Sequence, residues 1–135
     1  MRKLGIGLAI AMMATSANAG LTQPAEVDVD LVNGFASGDQ VSARYSTNKV
    51  EFIGCGMRRR VDSTGAYFDN GFCQAADAAG ETFTCITTDA GLLEAIHASG
   101  DYGYIVFSWD VATGECRRIG FSNQSFYLPK GLGRN

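Results

Sequence analysis

The chain has 135 residues, 46% of them hydrophobic, with 14 acidic against 11 basic residues and a net charge of -3 at neutral pH. One core of ordinary size fits that length, and two independent ones do not fit comfortably. The acidic balance argues against general binding to nucleic acid or anionic lipid, both of which reward clustered positive charge.

The first residues read as an export signal. Arg2 and Lys3 form a basic n-region, and Leu4 to Met13 form an uncharged apolar run too short to span a bilayer as a helix. Ala17-Asn18-Ala19 is the small-x-small pattern of a cleavage site. Residues 1–19 are therefore expected to be a signal peptide, with Gly20 as the new N-terminus and a secreted or periplasmic destination. No Cys stands at the cleavage point to carry a lipid, so no membrane anchor is expected. The exported part then has 9 basic and 14 acidic residues, a net charge of about -5.

Residues 20–37 read as an N-terminal arm or edge strand, because Val27, Val29 and Leu31 alternate with Asp28 and Asp30 before the turn Asn33-Gly34. Residues 38–135 read as one disulfide-stabilised β-rich domain. Within it, Ser42-Ala43-Arg44-Tyr45-Ser46 resembles a fragment of the loop presented by small exported bacterial lysozyme inhibitors, which also share the size, signal and disulfide use. Five residues match, early in the chain and not late in it. The surrounding pattern does not continue, so no functional residue is carried over from that family.

Val50 to Val61 is strand-like, with Ile53, Cys55, Met57, Arg59 and Val61 on one face and Phe52, Arg58 and Arg60 on the other. Turns at Asp62-Ser63-Thr64-Gly65 and Asp77-Ala78-Ala79-Gly80 predict a three-strand meander through Thr87. Leu92, Leu93 and Ile96 then recur at helical spacing, predicting one short helix near 89–99 capped by Thr88 or Asp89 and ended by Gly100. A hairpin follows, its strands separated by Val111 to Gly114, and a last strand is expected from Ser125 to Leu128. About seven short strands with one helix predict an α+β fold, mainly antiparallel β: a roll, a sandwich or a partly open barrel.

Cys55, Cys73, Cys85 and Cys116 are an even set in an exported chain, with no CxxC pair, and read as two disulfides. Three pairings are open. Cys55–Cys73 with Cys85–Cys116 is slightly preferred, because the first pair lies on strands joined by one short turn. Each bond would restrict the unfolded chain by roughly 3 to 4 kcal/mol. Counting from Val61 opposite Ala66 sets Cys55 against Phe72, so this pairing requires a bulge.

Two groups of residues stand out as binding candidates. Arg58 and Arg60, with Arg117-Arg118 nearby if the last hairpin joins the same sheet, suit a phosphate, a carboxylate or an acidic partner. The alternative is a solvated charge ladder facing Glu26, Asp28 and Asp30 or other cross-strand acids. Tyr102 and Tyr104 share a strand face with Val106 and, with Tyr67 or Tyr127, suit a sugar, peptide or protein surface. Ile105, Phe107 and Trp109 make the opposite, core-facing side. Asp69-Asn70-Gly71 and Asp77 to Gly80 have too few oxygen ligands for calcium and read as turns. No metal ligand set, cofactor motif or catalytic constellation is recognised.

The leading expectation is a non-enzymatic binding or inhibitor-like protein acting outside the cytoplasm on an extracellular or envelope protein or glycan. The rival is a small secreted hydrolase of phosphodiesterase or nuclease type, using the single histidine His97 with Glu94 or Asp101 and the arginines. Intact-mass analysis of exported protein is expected to return a chain beginning at or near Gly20. A mass that retains residues 1–19 would end the export reading.

Overall fold

A computed structural model describes residues 20–129; the signal-peptide reading of residues 1–19 lies outside the described residues. Seven strands form two antiparallel sheets with short helices at their crossings. The order is β1 (Asp28–Asp30), β2 (Phe35–Asp39), α1 (Gln40–Tyr45), β3 (Phe52–Val61), β4 (Tyr67–Ala76), β5 (Thr82–Thr87), α2 (Ala90–His97), β6 (Tyr104–Trp109) and β7 (Cys116–Ser122). Sheet A runs β1-β2-β6-β7 and sheet B runs β3-β4-β5. The chain crosses to sheet B through α1 and returns through α2, and β6 then inserts beside β2. One parallel bridge, Ile86 to Glu115, brings β5 alongside the start of β7, and the barrel is not closed.

The α+β, mainly antiparallel expectation holds, and so does the helix, which Asp89 caps by accepting from the Leu92 amide at 2.9 Å. One local expectation fails at the C-terminal side of β7. Residues 125–127 form a turn of 3-10 helix, not a strand. Ser42 to Tyr45, compared above with an inhibitor loop, lies in α1 with Ser46 as its C-cap. That helix has only six residues, too few for an apolar period to show. What starts it is Asp39, whose carboxylate accepts from the Val41 and Ser42 amides.

Alternation makes the core. Ile105, Phe107 and Trp109 of β6 are buried, together with Val27, Val29 and Ala36 from the first hairpin and Ile53, Cys73, Ala75 and Cys85 from sheet B. Phe83 of sheet B stacks on Trp109 of sheet A, with ring centroids 4.0 Å apart. Beside that stack, the Cys85–Cys116 disulfide ties β5 to β7, while Cys55–Cys73 ties β3 to β4. Two disulfides in a small β-rich domain fit a protein of an oxidising, extracytoplasmic compartment. Among the described residues no helix is long and apolar enough to cross a membrane.

The one-residue register problem of the β3–β4 hairpin is solved inside its turn. The Asp62 amide donates to the Ala66 carbonyl at 3.0 Å, so Asp62, not Val61, sits opposite Ala66, and Cys55 falls directly opposite Cys73. Gly65 is the extra residue, at φ 86°, a left-handed conformation that costs glycine little. The strands themselves run without a bulge.

All four hairpins repeat this chemistry, with Asp before the turn and a glycine of positive φ closing it: Asp30 and Gly34, Asp62 and Gly65, Asp77 and Gly80, Asp110 and Gly114. The carboxylates accept from amides that the turn would otherwise strand: Val32 and Asn33 on Asp30, Thr64 and Ala66 on Asp62, Glu81 on Asp77, Ala112 and Thr113 on Asp110. Three of these acids titrate below the ordinary carboxylate range. The leading cause is the Asn33 side-chain amide for Asp30, the Thr64 hydroxyl for Asp62 and the Arg117 guanidinium for Asp110, with backbone amides adding to each.

A carboxylate whose folded pKa lies below its unfolded value near about 3.9 contributes stability above that value, and the contribution disappears as pH falls through the folded pKa. The urea midpoint should therefore fall as pH drops below about 5, and the combined Asp30→Asn, Asp62→Asn, Asp110→Asn variant should show a shallower fall. An equally steep fall would remove the turns as the acid-sensitive element. Glycine substitutions give the second test. At Gly34, φ is 67° and an added Cβ would lie 2.6 Å from the Trp109 carbonyl oxygen, so Gly34→Ala should cost about 2–4 kcal/mol in denaturant unfolding. At Gly54 an added Cβ meets nothing within 4 Å. Gly54→Ala should leave stability unchanged or raise it by up to about 1 kcal/mol.

Candidate functional site

Sheet B loses its third strand before its first hairpin ends. β5 pairs with β4 only from Ala76 to Gly71, whereas β3 and β4 stay paired from Met57 opposite Gly71 out to Val61 opposite Tyr67. Residues 58–70 thus form a two-stranded arm, four residue pairs or about 13 Å long before its turn. α2 explains where β5 stops. After Thr87 the chain enters this helix, and Leu93 and Ile96 pack onto Gly71, where a Cβ would lie 3.0 and 2.6 Å from their terminal methyl groups.

The arm holds the arginine run. Arg59 makes a two-pronged ion pair with Asp69 directly across the hairpin, both N–O distances 2.9 Å, which raises the guanidinium's already high pKa. Both partners are exposed enough that the pair fixes geometry more than it stabilises the fold. On the other face, the Arg58 guanidinium lies 4.9 Å from the centre of the Phe72 ring, a cation–π contact, and Arg60 stands opposite Phe68. Neither Arg58 nor Arg60 forms an ion pair among the described residues. The charge ladder with Glu26, Asp28 and Asp30 is not formed, and Asp30 is engaged in its own turn.

By register, the face that carries Arg58 and Arg60 continues through Phe52 on β3, Phe68 and Phe72 on β4 and Ile86 on β5, with Asn70, Gln74, Thr82 and Thr84 between them. It includes no carboxylate. Phe52, Phe68 and Ile86 are 42, 44 and 54% exposed, and at the arm's end Val61 and Tyr67, on the opposite face with Arg59 and Asp69, reach 55 and 72%. The Asn70 side-chain oxygen is buried at the root of the arm without a hydrogen-bond partner among the described residues.

The other sequence candidates fall elsewhere. Arg117 and Arg118 lie on β7 in sheet A, so they do not extend the arginine face. The register slips between Ser108 and Trp109, leaving Arg117 as the extra residue, and its guanidinium binds Asp110 at 2.7 Å. Tyr102 and Tyr104 do not share a strand face, because β6 begins only at Tyr104. Tyr104 stacks with Tyr127, centroids 5.7 Å apart, whereas Tyr102 lines a depression with Arg44, Tyr45 and Asp101. His97 is exposed in the last turn of α2 and makes no hydrogen bond or ion pair among the described residues. Asp69 binds Arg59 and Asp77 holds its turn, and among the described residues no group of three or more His, Cys, Asp or Glu side chains is placed to hold a metal ion.

One feature was invisible in sequence. A cleft of about 430 Å³ lies between α1, the segment around Thr22 and Pro24, and the 3-10 turn with Leu128 and Pro129. Tyr45, Phe126 and Tyr127 line it, together with Asp39. Only the joining of the two ends of the domain creates it, through a hydrogen bond from the Gln23 amide to the Phe126 carbonyl at 3.3 Å. In sequence Phe126 and Tyr127 fall within the expected last strand, and no feature singles out Asp39. Compared with protein families, curated proteins and solved structures, the chain matches none of them.

Proposed function

We propose that this chain is an exported, non-enzymatic binding protein whose β3–β4 arm, with the adjoining outer face of sheet B, docks on an acidic surface of an extracellular or envelope protein. The observation that carries this reading is the joint exposure of Arg58, Arg60, Val61, Tyr67 and Phe68 on a hairpin that projects past its sheet. Arginine and aromatic side chains are the types that concentrate binding energy at protein interfaces. Here they stand on a rigid two-stranded element, its root fixed by the Cys55–Cys73 bond and its turn by Asp62. Such pre-ordering lowers the entropy lost on docking. The hydrolase reading would need His97 beside a carboxylate or arginine, and its side chain contacts neither as a hydrogen-bond partner among the described residues.

The test is capture from an extracellular or envelope fraction with the exported form of the protein, followed by affinity measurement at several salt concentrations. Arg58→Ser with Arg60→Ser should leave the unfolding midpoint nearly unchanged, since neither forms an ion pair and the exposed Arg58–Phe72 cation–π contact is worth about 0.5–1 kcal/mol. The same variant should weaken partner binding roughly tenfold or more and flatten its salt dependence. Tyr67→Ser with Phe68→Ser should weaken binding while preserving the salt slope. A captured protein bound with unchanged affinity and salt response by both variants would show the arm to be a bystander.

A further inference from the structure

Asp39 is the one charged residue buried among the described residues, with 3% of its surface exposed. Its Oδ1 accepts from the Val41 amide at 2.9 Å, and its Oδ2 accepts from the Ser42 amide at 3.3 Å and the Ser42 hydroxyl at 2.7 Å. These donors hold the carboxylate in place, but none brings a full positive charge, and Asp39 forms no ion pair among the described residues. A carboxylate taken out of water without a counter-ion is costly, and the cost falls if a cation joins it.

The cleft beside Asp39 has the walls for such a cation. Tyr45, Phe126 and Tyr127 offer aromatic surface, with Pro24, Val41, Leu128 and Pro129 completing an apolar lining. The Tyr127 hydroxyl makes no hydrogen bond among the described residues, and its pKa is raised, first by burial and then by the nearby Tyr104 phenol and Asp39 carboxylate, of which only Asp39 is an anion at neutral pH. The phenol and the carboxylate therefore share one environment, in which negative potential adds to the attraction of the ring faces for a cation.

We propose that this cleft binds an alkylammonium group, quaternary or methylated, with Asp39 as counter-charge and Tyr45, Phe126 and Tyr127 as the aromatic wall. The lining selects this class over guanidinium. A guanidinium carries five N–H donors to satisfy, and here most of the carboxylate's acceptor capacity is already used by Val41 and Ser42. A quaternary ammonium has no N–H and needs only charge and ring faces. The size of the cleft lies within the range of small-ligand sites. The inference is independent of the arm, which lies on sheet B.

The probe is choline, titrated calorimetrically into the exported form of the protein, against 3,3-dimethyl-1-butanol, its neutral isostere. Choline should bind saturably in the millimolar range or tighter, at least about tenfold more tightly than the alcohol, because only the cation gains from the carboxylate and the ring quadrupoles. Asp39→Asn retains a side-chain oxygen for the helix cap and should weaken choline about tenfold or more while leaving the alcohol unaffected. Tyr127→Leu should weaken choline as well, and folding of each variant is checked by circular dichroism. Parallel titration with acetylated trimethyllysine amide separates a free amine from a modified peptide side chain as the source. Equal binding of choline and the alcohol, or no saturation by choline, would overturn the proposal, and this comparison decides even if Asp39→Asn fails to fold.

Discussion

The placement of four cysteines governs everything else in this fold. Cys55, Cys73 and Cys85 occupy directly paired positions on three neighbouring strands, so they form one row across the inner face of sheet B. The bonds connect the row's first two members and then carry its third to Cys116 on the other sheet. One bond therefore pins the register within sheet B, and the other pins sheet B to sheet A at the point where β5 and β7 make their single bridge. A one-residue slip of β4 would move Cys73 to the outer face and break the row, because successive side chains alternate. Cys73 and Cys85 are fully buried, and in the Phe83–Trp109 stack Phe83 lies two residues from Cys85 on β5 while Trp109 is paired directly with Cys116. Cross-link and packing thus enforce the same register.

That constraint also explains why the arm can exist. A two-stranded hairpin is marginal in water on its own. Here its root is held by the Cys55–Cys73 bond and its far end by the Asp62 turn, with the Arg59–Asp69 pair between them. β5 cannot continue alongside, because the chain must turn into α2 to cover Gly71 with Leu93 and Ile96. Covering the core at that end leaves the arm's outer pairs without a third strand. Exposure of Tyr67 and Phe68 is thus a consequence of where the helix sits, and not of a weak core.

Much of this was legible in sequence, and the limits have physical causes. Strand alternation located the Ile105, Phe107 and Trp109 face because period two is strict, and α2 was readable from Leu92, Leu93 and Ile96 with an acid to cap it. The Asp62–Gly65 turn was readable, but not that Gly65 would absorb the extra residue. That depends on whether the first cross-strand pair is Val61–Ala66 or Asp62–Ala66, a choice that turn composition leaves open. α1 went unseen because six residues are too few to show a period. Alternation extended back from Tyr104 places Tyr102 on a strand face, but β6 begins only at Tyr104, after Gly103. Asp39 and Phe126 come together only through the meeting of the domain's two ends, which no local pattern encodes.

The chain's acidity looks different once its carboxylates are placed. Asp30, Asp62, Asp77 and Asp110 hold hairpin turns, Asp39 and Asp89 cap helices, Asp69 is bound to Arg59, and Glu51 accepts from the Val27 amide. Except for Asp69, which faces a guanidinium within β4, these acids sit where backbone amides need an acceptor, and such amides concentrate at turns and helix starts. The outer face of sheet B has its backbone groups largely satisfied by strand pairing and so has no structural use for an acid. A protein with net negative charge thereby keeps one face on which two arginines stand unopposed. The same logic places the single buried carboxylate at a helix cap beside an aromatic cleft. The two arginines without an ion pair and the one buried carboxylate thus stand on different parts of the fold, each where the backbone's need for acceptors leaves or places it.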